Sequence, residues 1–71
     1  MDNDSLQWND VDEIAVRLWE QNEELNPLSV SFPALIEMIL ALPGFVGERD
    51  KCGEKILEAI QMGWLEEFEA D

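Results

Sequence analysis

Between Leu25 and Gly47 the sequence holds a single ionisable side chain, Glu37, whereas the stretches on either side carry sixteen acids. From Met1 to Glu24 eight acids stand against Arg17, and from Glu48 to Asp71 eight more stand against Arg49, Lys51 and Lys55. The three parts contribute -7, -1 and -5 to a formal charge of -13. Charged side chains are almost never fully buried unless paired, and 4 cations cannot pair 17 acids. The neutral middle must therefore supply much of the core, and the two arms must face water with most of their charge. A field of this sign repels nucleic acid and anionic membrane and attracts basic protein surfaces or hard cations.

A chain of 71 residues allows one small domain, and a domain of that size buries only about 60% of its unfolded surface. The expected layout is a disordered N-terminal end at 1–5 followed by a single domain over 6–69. Hydrophobic residues make up 46% and include Trp8, Trp19, Trp64, Phe32, Phe45 and Phe68, too apolar and aromatic for a disordered acidic tail. The lone Cys52 excludes an internal disulfide, and without histidine the usual soft ligands of a zinc or cluster site are missing. Met1-Asp-Asn-Asp lacks the basic and apolar regions of a secretory signal. The apolar run from Phe32 to Phe45 is broken by Glu37 and Pro43-Gly44 and is too short to span a bilayer. These features point to a soluble, cytoplasmic monomer.

Asp10 followed by Glu13 has the form of a helix-capping box, with Trp8 placed to staple the start. Val11, Ile14, Ala15, Leu18 and Trp19 recur at helical spacing, which predicts a first helix from about Val11 to Gln21. Leu25-Asn26-Pro27 closes it, since the residue before a proline is pushed away from helical angles. Leu28, Val30 and Phe32 alternate with Ser29 and Ser31, which suits a short extended segment with the apolar residues inward. Pro33 fits the first turn of a second helix. That helix is apolar nearly all round and is expected to be the most buried. Pro43-Gly44 ends it, and Phe45 to Gly53 reads as a loop or wing with Phe45 anchored in the core. Glu54 opens a third helix, with Ile56, Leu57, Ile60, Trp64, Leu65 and Phe68 on one side and Glu54, Glu58, Met62 and Glu69 on the other. The fold class is mainly α: a three-helix, helix-turn-helix or winged-helix domain with at most very short strands.

Catalysis is not expected. The sequence has no His or Tyr, the commonest bases beside a nucleophile. Gly44 and Gly47 are not spaced as a phosphate-binding loop. Cys52 has Lys51 and Lys55 nearby but otherwise stands alone, as an inert loop cysteine would. Asp4-Ser5-Leu6 spells the phosphopantetheine tripeptide of acyl carriers, but no helix precedes it and Trp8 follows where the modified helix would begin. The carboxylates carry more meaning. Glu13, Glu20 and Glu24 share an outward face with Asp12 and Glu23 at its margins, and like charges at helical spacing are a cost to the helix. Such a set either solvates a small protein or offers hard oxygen ligands to iron, magnesium, calcium or manganese, bound loosely in the absence of a spaced calcium loop. Val16 and Met62 project among acids and can form the apolar centre of a binding patch.

These residues resemble the IscX (YfhJ) family of the bacterial iron-sulphur cluster assembly system. The resemblance rests on Leu6-Gln-Trp8-Asn-Asp10, Ile14, Leu18, Leu25-Asn-Pro27, Val30, Phe32, Leu42 and Phe45. Its strongest part is Glu54-Lys-Ile-Leu-Glu-Ala-Ile60 followed by Trp64-Leu-Glu-Glu67, and it covers about residues 6 to 67. It implies a modified winged helix and a non-enzymatic accessory that binds the pyridoxal-phosphate cysteine desulfurase and modulates cluster formation. It implies no tightly bound cofactor, weak Fe2+ or Fe3+ binding on carboxylates with Glu13, Glu20 and Glu24 as the main metal patch, and competition with bacterial frataxin for a basic region of the desulfurase. The partner face it suggests is Asp12, Glu13, Glu20, Glu23, Glu24, Glu54, Glu58, Met62, Glu66 and Glu67. An iron carrier is the alternative role. The chain departs from the family pattern at Val46-Gly47-Glu48-Arg49, where an Asp-rich loop is usual, and at Asn26, where Asp is usual.

Overall fold

The computed structural model describes residues 5–70, so the tail expected to be disordered lies outside the described residues except for Ser5, which is exposed coil. Three helices, α1 (Val11–Gln21), α2 (Phe32–Leu40) and α3 (Glu54–Ala70), account for most of the chain. Short 3-10 turns occupy Pro27–Ser29 and Arg49–Lys51. Strand structure among the described residues is reduced to one parallel bridge between Leu6 and Phe45. The mainly helical class expected from the sequence is observed, with a loop in place of a wing.

α1 and α3 form the principal contact. Ile14, Ala15 and Leu18 of α1 and Leu57, Ile60 and Trp64 of α3 are buried, each large apolar side chain contributing about 1.5–3 kcal/mol. The close approach is at Gly63, where an added Cβ would stand 3.1 Å from the Cβ of Ala15. That proximity accounts for a glycine in mid-helix, a position that otherwise costs about 1 kcal/mol relative to alanine. The far end of the pair is closed by Trp19 and Phe68, edge to face at 6.2 Å. The Trp64 indole N–H is buried without an acceptor among the described residues, so the side chain serves there as apolar volume.

Three local readings are corrected. Asp10 stands before α1, but its carboxylate accepts the Gln7 N–H at 2.9 Å rather than a helix N–H, and Glu13 turns to Arg17. The expected capping box is absent because Gln7 and Asp10 close a turn on each other, the Asp10 N–H also reaching the Gln7 carbonyl. The segment expected to be extended is a 3-10 turn at Pro27–Ser29, with Leu28 63% exposed and Pro27 buried instead. Asn26 decides this: its side chain accepts the Leu28 N–H at 2.9 Å, an Asx turn that Pro27 continues at its preset φ. Ser31, expected as an outward strand residue, caps α2 by accepting the Ala34 N–H. Gln61 of α3 then holds the turn by donating to the carbonyls of Pro27 and Val30.

α2 is covered to about the same degree as α1 and more than α3. Only Leu35 and Ile39 are fully covered, while Ile36, Met38 and Leu40 are half-buried and Pro33 and Ala34 are exposed. Gly44 ends the segment with φ 82°, a left-handed angle that favours glycine.

The loop after Phe45 is fixed by Trp8. Its indole Nε1 donates to the Glu48 carbonyl at 2.6 Å and its ring meets Phe45 edge-on at 4.8 Å. A Cβ on Gly47 would lie 2.8 Å from the Trp8 ring and 2.6 Å from Phe45. We expect Gly47→Ala to lower unfolding stability by roughly 1–3 kcal/mol. The same change at Gly53, where a Cβ meets nothing within 4 Å, should be neutral or stabilising by up to about 1 kcal/mol. Urea denaturation of the two variants tests the contrast.

Candidate functional site: acidic helix faces

Helical spacing decides which acids of α3 lie together. Glu54, Glu58, Met62 and Glu66 follow one another every fourth residue, and all four are exposed, Met62 at 52%. Glu67, one position round, is half-buried. The row is therefore three carboxylates with a thioether inside it, on the side of α3 opposite Leu57, Ile60 and Trp64.

On α1, Asp12, Glu13 and Glu20 are exposed as expected, and Val16 is half-buried. Glu23 and Glu24 are also exposed but lie beyond the end of α1, in a turn closed by the Leu25 N–H on the Asn22 carbonyl. They therefore do not continue the helix face. Glu13 is engaged by Arg17, whose Nε donates at 3.0 Å and whose Nη1 reaches the Pro43 carbonyl at 3.4 Å. Arg17 thus ties α1 to the end of the α2 segment.

No three Asp, Glu, Cys or His side chains among the described residues lie close enough to hold a metal ion. Glu13, Glu20 and Glu24 are not brought together into a ligand set. Cys52 is half-buried and packs against the core, as a small hydrophobe would. No helix among the described residues is long and apolar enough to cross a membrane.

Of the remaining cations, Arg49 and Lys51 make local contacts. Arg49 pairs with Glu37, so the one charge of the neutral middle is met by the loop that packs beside it. Lys51 borders an open groove with Trp8, Val46, Gly47, Glu48 and Ile56. Nothing in the sequence alone joins Trp8 to Val46-Gly47. The one signal was a glycine beside an aliphatic residue in a loop that has no sharp turn at that point.

The described residues form a small helical body with acids on its outer faces. A sequence family described as iron-sulphur cluster assembly matches residues 6–69. An uncharacterised protein of Pseudomonas aeruginosa is 46% identical over 63 residues, covering 89% of this chain and 96% of that relative. The chain belongs to the IscX/YfhJ family of iron-sulphur cluster assembly proteins.

The Glu13 to Arg17 bond is an exposed helical pair of a kind worth about 0.3–0.5 kcal/mol. Glu13→Gln should therefore leave the thermal midpoint and helical circular dichroism close to those of the parent. That outcome would make the variant usable for reading charge in binding experiments.

Proposed function

We propose that this protein is an adaptor of iron-sulphur cluster assembly that docks on the cysteine desulfurase through its acidic helix faces and modulates sulphur delivery. The observation that supports it most is the exposed row of Glu54, Glu58, Met62 and Glu66. Glu54 and Glu58, four apart with like charge, repel each other along the helix, so the row gains no helix stability from pairing. It suits a basic partner surface, with Met62 supplying an adaptable apolar centre. Asp12, Glu20, Glu23 and Glu24 extend the same sign of charge, and electrostatics then governs the rate of encounter and its sensitivity to salt.

Iron enters this reading as loosely held cargo. Single carboxylates are hard ligands that attract iron, but without a converging set they share it with water or with the partner. Frataxin, in the same reading, meets the same basic region of the desulfurase, so the two proteins displace one another.

Two double variants test the faces, Glu58→Lys with Glu66→Lys and Glu20→Lys with Glu24→Lys. Each should slow association with the purified desulfurase by about ten-fold or more at low salt, with the difference shrinking as salt rises and helical content unchanged. Parent-like association by both variants would overturn docking through these faces.

A further inference from the structure

Away from the acidic rows, the surface carries a pre-shaped recess, the groove between the turn at Trp8 and the loop from Val46 to Lys51. Its volume is about 440 Å3 and its apolar lining comes from Trp8, Val46 and Ile56. That size lies within the range of pockets that take small organic ligands and has room for one bulky side chain. The floor is held in place. Trp8 is fastened to the Glu48 carbonyl, braced by Phe45 and pressed against Gly47 so closely that a Cβ has no room. A guest therefore meets a surface that needs little ordering. Val46 is 57% exposed, an aliphatic side chain left facing outward in a chain with few such groups.

Charge selects the guest. Glu48 borders the groove, and the Asp10 carboxylate sits beside it, bonded to the backbone of the lining residue Gln7. Lys51 is the one cation among the lining residues. An acidic segment would be repelled by the -13 field before it reached that single lysine, whereas a basic segment is drawn in. We propose that this groove seats a bulky apolar side chain of a basic peptide segment, whose flanking cations face Glu48 and Asp10. The groove is a site additional to the acidic rows of α1 and α3. It shares with the docking reading only the basic chemistry of the partner.

The test is an amide NMR titration with three capped pentapeptides: Lys-Lys-Phe-Lys-Lys, the same peptide with Ser for Phe, and the Phe peptide with Glu for every Lys. The Phe peptide should bind about ten-fold tighter than the Ser peptide. Its shifts should centre on the Trp8 indole N–H and the amides of Val46, Gly47 and Glu48. Val46→Ser should remove the preference for Phe without changing the unfolding midpoint, and Lys51→Glu should tighten the Phe peptide. The proposal is overturned by equal affinity for the Phe and Ser peptides, by shifts confined to the acids of α1 and α3, by preference for the Glu peptide, or by no shift at millimolar peptide. No desulfurase is present in the titration. Failure here leaves docking through the helix faces standing, and failure of the lysine variants leaves the groove standing.

Discussion

The contact between Ala15 and Gly63 sets the distance at which α1 and α3 pack, and the remaining architecture is arranged around that pair. With small residues at the crossing, Ile14, Leu18, Ile60 and Trp64 interlock on either side and are fully buried. α2 is left to lie along the pair with two buried residues, and the loop after it is held by Trp8 rather than by strands. A wing built as a hairpin would need a ladder of backbone bonds. Here the single bridge between Leu6 and Phe45, one indole hydrogen bond and one aromatic pair do that work.

Because the core is made from one stripe on each helix, most acids among the described residues stay at the surface, and few of them are used in internal pairs. Arg17 and Arg49 are spent on connections within the fold, one to the Pro43 carbonyl and one to Glu37. The surface charge of α1 and α3 is thus nearly uncompensated where it faces solvent. Family membership states the process in which the protein takes part, iron-sulphur cluster assembly. The proposed docking rests on the charge distribution of α1 and α3, and not on the fold alone.

Elements with a strong period were readable from residue spacing. The stripe of Ile14, Ala15 and Leu18 delimits α1, the Glu54 start and the Leu57, Ile60 and Trp64 stripe delimit α3, and Pro33 marks the first turn of α2. Side-chain hydrogen bonds with local alternatives were not readable in the same way. Asp10, Asn26 and Ser31 can each serve a turn, a cap or a strand edge, and the choice follows from which backbone N–H the fold brings within reach. The exposure of the acids was legible because burying them unpaired is prohibitively costly. Their failure to converge on a metal geometry was not, since it depends on where α1 ends and the turn at Glu23 and Glu24 begins. The groove at Trp8 joins segments far apart in sequence and left no periodic trace.

Pairing Glu37 with Arg49 leaves the α2 side of the molecule electrically quiet while the outer sides of α1 and α3 stay strongly negative. The protein is therefore an electric dipole as well as a net anion. In the field of a positively charged surface such a body experiences a torque as well as an attraction. It rotates toward its acidic side while still separated by a Debye length, about 8 Å at physiological ionic strength. Orientation is then partly chosen before any side chain touches, and collisions that present α2 become the minority.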